Sequence, residues 1–178
     1  MSLSKPQRGV VVGMAAGLVV TFAGFGTTAL LLRTALLPNG WDARFHLIEL
    51  SVLIPVATFA FSIARLAAHR FRTPPDLDGS GLTSGTDRAR LLQALLQNTL
   101  EQVVLALPVY AAWGVVAPAR LLPVMVAAAV FFLVGRILLF WGYARGASGR
   151  ALGFALTFYP TVVLLASAGV FFVRSNGN

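Results

Sequence analysis

The chain has 178 residues, of which 57% are hydrophobic and only 11% are charged, so it is predicted to be one integral membrane domain rather than a soluble protein. Its net charge is +8, but the basic residues lie mainly at the ends of apolar segments, which indicates membrane anchoring and no binding of nucleic acid. The chain has no cysteine, which excludes disulfides, thiolate metal sites and a protein thiol nucleophile, and no metal site is predicted.

The first apolar segment covers residues 9–32 and follows a short basic N-terminus. A helix of this length is ~36 Å long and can cross a hydrocarbon core of ~30 Å, and the run is too long for a cleaved signal peptide. Gly9, Gly13 and Gly17 recur every four residues. This spacing predicts a ridge on which another helix packs closely, although chance in a Gly/Ala-rich segment would also produce it.

Four more transmembrane helices are predicted after a turn at residues 38–42: 43–68, 87–113, 120–145 and 150–173. The connection at residues 73–86 is rich in Pro, Gly, Asp and Ser and is expected to be an exposed loop. A Gly-Ala-Ser-Gly run at 146–149 predicts a break before the last helix, which would restart at Arg150. The fold class is therefore all-α and integral to the membrane, with an extra N-terminal helix at residues 1–40 and a main membrane domain at residues 41–178.

Five crossings place the N-terminus and the connections after the second and fourth helices on one side of the membrane. That side holds nine of the 14 basic residues, and the opposite side holds four. The excess of positive charge predicts that the N-terminus and the loop at residues 70–87 are cytoplasmic and that the C-terminus lies outside.

The third helix carries a polar stripe in otherwise apolar sequence. Arg90, Gln93, Gln97 and Glu101 recur at spacings of three and four, and Asn98 lies beside them. Lipid cannot satisfy such groups, so the stripe is expected to face a neighbouring helix or a wet cavity.

Arg136 is set in the apolar run of the fourth helix, where a guanidinium is costly and indicates an internal site with a partner. Glu101 is the natural counter-charge, either as structural glue between two helices or as part of a functional site. Tyr143 lies seven residues later and ~20° away around an ideal helix, so it faces the same way as Arg136. An ordinary interfacial aromatic is the alternative reading of Tyr143.

Four motifs stand out from Asn98 onwards: Asn98-x-x-Glu101, Gly135-Arg136, Gly142-Tyr143-Ala144-Arg145 and Arg150. Together they resemble the MAPEG family, the membrane-associated proteins in eicosanoid and glutathione metabolism, over roughly residues 69–173. The resemblance implies a four-helix bundle assembled as a homotrimer, with glutathione bound between subunits near the cytoplasmic face in the catalytic members. By position, it places Asn98, Glu101, Arg136 and Tyr143 in the glutathione pocket and makes Arg150 the residue that activates the thiol.

The role that the resemblance gives to Arg150 is chemically reasonable. A thiol is mostly protonated at neutral pH, and a nearby cation favours the nucleophilic thiolate. Because Arg150 is expected to begin a helix, backbone N–H groups and the helix dipole would help to hold the anion.

The chain departs from the family pattern at two positions. Ala94 stands where family enzymes commonly have an arginine, and Arg90, one turn earlier, is the candidate replacement in the glutathione pocket. Leu139 stands where a tyrosine or histidine is common.

Two functions remain open. One is a glutathione-dependent enzyme that conjugates or reduces a lipophilic electrophile entering from the bilayer. The other is a non-enzymatic lipid-binding scaffold that uses the same groove between subunits. Arg136, Tyr143 and Arg150 favour the enzyme, whereas Ala94 and Leu139 favour the scaffold.

Overall fold

The computed structural model describes residues 3–32, 40–79, 82 and 84–176. It contains five long helices: α1 (Lys5–Leu31), α2 (Trp41–Arg72), α3 (Asp87–Val116), α4 (Pro123–Gly142) and α5 (Gly146–Asn176). Short 3₁₀ turns lie at Pro74–Asp76, Ala119–Leu121 and Tyr143–Arg145, and the described part of the chain has no strand. The all-α prediction is confirmed. Residues 38 and 39 of the predicted turn at 38–42 lie outside the described residues.

Local sequence explains where several of these helices begin. Ser4 and Gln7 form a reciprocal capping box at the start of α1, in which the Ser4 N–H donates to Gln7 Oε1 at 2.8 Å. The Thr86 hydroxyl accepts from the Ala89 N–H at 3.2 Å and so caps α3. Pro123 occupies the first turn of α4, where its missing N–H costs no helical hydrogen bond.

Four helical stretches are long and apolar enough to cross a membrane, the last of which is the 57-residue stretch Ala119–Ser175. A helix of that length would be far longer than a bilayer is thick. It instead contains α4 and α5, which fold back on each other: the backbone of Gly142 contacts Gly149, and that of Gly153 contacts Leu139. The chain is therefore an integral membrane protein, and its described residues form five long apolar helices.

The connection between α4 and α5 corrects one prediction from the sequence. Only the 3₁₀ turn separates the two helices, and α5 begins at Gly146, not at Arg150. Gly146 has a φ of +84°, which L side chains rarely adopt, and this single residue completes the reversal. Gly149 is needed for close packing rather than for a break, because a Cβ there would lie 2.7 Å from the Gly142 carbonyl oxygen.

The glycine ridge of α1 packs on α5, as its spacing predicts. A Cβ on Gly9 would lie 2.6 Å from the Ser148 Cβ, and one on Gly13 would lie 2.8 Å from the Ala151 Cβ. Gly17 meets the next residue of the same face of α5, Ala155, in the same way. Small residues on both helices therefore let α1 and α5 run side by side in the same direction.

A buried carboxylate anchors the α2–α3 connection, which the sequence presents only as an exposed loop. Asp76 is 2% exposed and accepts hydrogen bonds from the Thr86 N–H and hydroxyl, both at 2.7 Å. His69 Nε2 lies 3.0 Å from Asp76 Oδ2, the oxygen that also accepts from the Thr86 hydroxyl. The hydrogen bonds from Thr86, followed by the contact with His69, hold the pKa of Asp76 below its ordinary value against the opposing effect of burial.

Three segments that are predicted to lie on the same side of the membrane are found at one end of the bundle, which we call the polar end. The start of α1 contacts the first turn of α5 through Gly9 and Ser148. Near the end of α2, the Arg65 guanidinium lies 5.4 Å from the ring centroid of Phe140 on α4. The N-terminal end of α1, the α2–α3 connection and the α4–α5 turn therefore share this end.

Candidate functional site

A cavity of about 340 Å³ lies at the polar end of the bundle. It is lined by Val10, Met14, Asn98, Leu139, Tyr143, Ala147, Arg150, Ala151 and Phe154. These residues come from α1, α3, α4, α5 and the 3₁₀ turn before α5. Three of the six residues predicted for the glutathione site are among them: Asn98, Tyr143 and Arg150.

Arg150 and Tyr143 form a stacked pair in this cavity. The guanidinium carbon of Arg150 lies 4.7 Å from the ring centroid of Tyr143, which is a cation–π contact. Arg150 is exposed, and among the residues that the structure describes no carboxylate forms an ion pair with it. The pair therefore offers an oriented positive charge that an anion in the cavity can use.

The start of α5 also faces this cavity, although not in the way predicted. Arg150 lies one turn inside the helix, and Ala147, in the first turn, lines the cavity with it. The first N–H groups of a helix have no intrahelical acceptor and carry the positive end of its dipole. The expected dipole contribution thus comes from the turn before Arg150, since the helix starts at Gly146.

Arg136 lies next to the cavity without lining it and is almost completely buried, at 1% exposed. Its Nη1 donates to Asn98 Oδ1 at 2.9 Å, and its Nη2 donates to Thr157 Oγ1 at 2.6 Å. Its Nε has no hydrogen-bond partner among the described residues. Asn98 is the residue through which Arg136 is connected to the cavity.

The prediction that Glu101 is the counter-charge of Arg136 is wrong within this chain. Glu101 is exposed, and its Oε1 accepts a hydrogen bond of 3.0 Å from Gln97 Nε2. Asn98 and Glu101 lie three residues apart on α3, offset by ~4.5 Å along the helix and by ~60° around it, and in this structure only Asn98 reaches Arg136. Asn98 holds that position, and neutral oxygens rather than a carboxylate solvate the guanidinium.

Arg90 also lies away from the cavity. It lines a second cavity of about 370 Å³ at the polar end, together with Ala94 and Gln97. Its Nη1 donates to the carbonyl oxygens of Ser84 and Gly85 at 3.1 and 2.9 Å, and its Nη2 pairs with Asp87. Within this chain, therefore, Arg90 does not join Asn98, Tyr143 and Arg150, because its hydrogen bonds to the α2–α3 connection hold it elsewhere.

Comparison with known protein families identifies the chain. Residues 47–170 match the family model of the MAPEG family. The chain belongs to this family. Comparisons with curated proteins and with solved structures gave no match.

The MAPEG match begins within α2 and ends within α5, so α1 lies outside it. MAPEG membership supports a membrane protein of the glutathione- or eicosanoid-related kind. Of the residues predicted for the site, Asn98, Tyr143 and Arg150 line the first cavity and Arg90 lines the second. Glu101 is exposed on α3, and Arg136 is buried behind Asn98. In the described part of the chain, no group of three His, Asp or Glu residues could hold a metal ion.

Two features of this candidate site were not predicted from the sequence. Thr157, the second acceptor for Arg136, shares its face of an apolar helix with Thr161 four residues later, and this pair of hydroxyls could have marked the face. Val10 and Met14 carried no comparable signal, because their place in the site depends on how α1 docks.

Proposed function

We propose that this protein is a glutathione-dependent membrane transferase that acts on a lipophilic electrophile entering from the bilayer. The observation that carries the proposal is the cavity at the polar end, where Arg150 is stacked on Tyr143 beside Asn98. The family motifs on these residues support glutathione as the cosubstrate. Since the chain has no cysteine, the thiol has to come from a substrate.

In this proposal, Arg150 stabilises the thiolate of glutathione. Each unit by which the thiol pKa is lowered requires ~1.4 kcal/mol, which a guanidinium and a helix N-terminus can supply together. The thiol proton passes to water, and the thiolate sulfur forms a bond to the electrophilic carbon. With a chlorodinitrobenzene acceptor, chloride then leaves with the electron pair of the carbon–chlorine bond.

The other predicted residues have supporting roles. Tyr143 orients Arg150 from below, and Asn98 offers its amide N–H₂ to glutathione while its Oδ1 accepts from Arg136. Arg136 is then a positioning residue that fixes the amide of Asn98 without touching the substrate.

A lipid-binding scaffold remains the second candidate function, and one observation favours it. An apolar groove of about 320 Å³ lies between α2 and α4, with Arg136 among its lining residues. The unpartnered Nε of Arg136 is buried beside this groove. A bound lipid rather than glutathione would be the finding that favours the scaffold.

We also propose that the protein is a homotrimer in which α3 faces neighbouring subunits. Gln97 and Glu101 are exposed on one subunit, well inside a membrane-spanning helix, where lipid cannot satisfy them. A neighbouring subunit could cover Glu101 and place the second cavity, with Arg90, next to the first. Mass measurement in nanodiscs tests this, and a monomer would contradict it.

The excess of basic residues at the polar end supports a cytoplasmic location for that end and an outside location for the C-terminus. Because the chain lacks cysteine, single cysteines placed in the α2–α3 connection and after α5 provide unique labels. An impermeant maleimide added to intact cells should label only the C-terminal position.

The central test replaces Arg150 and measures both glutathione binding and turnover of a chlorodinitrobenzene. Arg150→Ala should reduce turnover by roughly 10²-fold while glutathione affinity changes little, and the pH–rate profile should move to higher pH. Arg150→Lys should recover only part of the rate, because an ammonium keeps the charge but loses the planar fork.

Arg145→Ala is the matched control. Arg145 is an exposed arginine at the same end, stacked on Trp141 at 4.7 Å, and it does not line the cavity. Its removal should leave turnover unchanged. If millimolar glutathione neither binds to the parent protein nor supports turnover, the enzyme proposal falls and the lipid scaffold replaces it.

A further inference from the structure

The helix outside the family match forms one wall of the candidate site. Val10 and Met14 of α1 line the cavity that contains Tyr143 and Arg150. The match to the MAPEG family covers residues 47–170, so neither residue belongs to the part of the chain that the family model describes. The contribution of α1 is therefore a property of this chain.

The glycine ridge holds this wall in place. Val10 and Met14 each follow a ridge glycine by one residue, and each is therefore turned ~100° from the contact with α5. At the other end of α1, Phe25 is buried and stacks on Phe131 of α4, with ring centroids 6.2 Å apart. Because α1 is fixed at both ends, Val10 and Met14 are held in position before any ligand binds.

The lining of the cavity is divided by chemistry. Asn98, Tyr143 and Arg150 supply its polar groups, which suit the charged groups of glutathione. Val10 and Met14 supply apolar surface from α1, beside apolar surface from Leu139 of α4 and Phe154 of α5. Methionine is unbranched and adapts its shape to different apolar groups.

We propose that α1 is the acceptor wall of the site, with Val10 and Met14 in contact with the lipophilic electrophile while glutathione occupies the polar groups. This inference rests on the proposed glutathione transferase function. It assigns acceptor selection to a helix that lies outside the match to the family model.

Acceptors of increasing chain length test this assignment. A suitable series runs from 2-butenal to 2-nonenal. In each reaction the thiolate sulfur forms a bond to the β-carbon, the C=C π electrons move to give the enolate, and water supplies a proton to the α-carbon. The reactive group is the same throughout, so a change along the series reports on the alkyl chain.

Met14→Trp should narrow the cavity and raise KM for 2-nonenal by roughly tenfold, with little change in KM for 2-butenal or in glutathione affinity. Met14→Ala should favour the longer acceptor instead. Val12→Trp is the matched control, because Val12 lies on the same turns of α1 but is 68% exposed and faces away. Equal effects of Met14→Trp and Val12→Trp on both acceptors would overturn the inference.

A binding measurement makes the test independent of turnover. Met14→Cys and Val12→Cys each introduce the only cysteine, which a maleimide can label. S-hexylglutathione, which has no free thiol, should slow labelling at position 14 and not at position 12. If S-hexylglutathione stabilises the protein but protects neither position, the role of α1 is refuted and the proposed function stands; if it does not bind at all, both proposals fall.

Discussion

The buried guanidinium of Arg136 makes Thr157 a sensitive position for substitution. Thr157→Val keeps the shape of the side chain but removes the oxygen that accepts from Arg136 Nη2 at 2.6 Å. The charged donor, on a residue only 1% exposed, is then left without an acceptor. The expected result is a loss of stability out of proportion to the removal of one hydroxyl.

The size of the loss follows from two bounds. Leaving a buried donor unsatisfied costs about 1–3 kcal/mol in soluble proteins. Hydrogen bonds between transmembrane helices average about 0.6 and reach about 1.7 kcal/mol, because the unfolded state in the membrane also finds partners. We therefore expect about 1.5 kcal/mol, which for a chain of 178 residues lowers Tm by about 3–6 °C.

Thr99→Val provides the matched control. Thr99 is fully buried on α3, and its hydroxyl donates only to the Leu95 carbonyl at 2.7 Å, much as Thr157 donates to the Phe154 carbonyl at 2.8 Å. Thr157→Val also removes the acceptor of the hydrogen bond from Arg136, whereas Thr99→Val does not.

The assay compares Tm in nanodiscs at one heating rate, in the parent protein and in Arg136→Leu. Thr157→Val should cost more than Thr99→Val in the parent and no more than Thr99→Val once Arg136 is absent. Equal losses for the two threonines in the parent protein would refute the reasoning.

Two further predictions concern the α2–α3 connection and α1. Asp76→Asn should lower Tm at neutral pH, and the difference in Tm from the parent should shrink below about pH 4. Hydrogen bonds from Thr86 hold the pKa of Asp76 low, so their stabilisation is lost when the carboxylate is protonated. A difference in Tm that stays constant with pH would contradict this. Removal of residues 1–40 should leave a folded helical oligomer by circular dichroism and mass measurement, since the family match starts within α2; loss of assembly would show that α1 belongs to the core.

The sequence alone was sufficient to predict the class of the protein. Long apolar segments have few alternatives to membrane-spanning helices, because the bilayer requires every backbone polar group to be satisfied within the segment. The Gly9/Gly13/Gly17 spacing predicted a packing face, and the short motifs around Arg136 and Tyr143 predicted the family. These features are local, so they can be read without knowing how the helices meet.

The tertiary structure decided which polar groups meet. Asn98 and Glu101 are both plausible partners for Arg136 in the sequence, and the rotation and depth of α3 relative to α4 select Asn98. Similarly, the place of Met14 in the site depends on the docking of α1 against α5, far away in sequence. Side-chain pairing between helices depends on shifts of a few ångströms and tens of degrees, smaller than a sequence pattern can specify, and only packing of the whole bundle determines them.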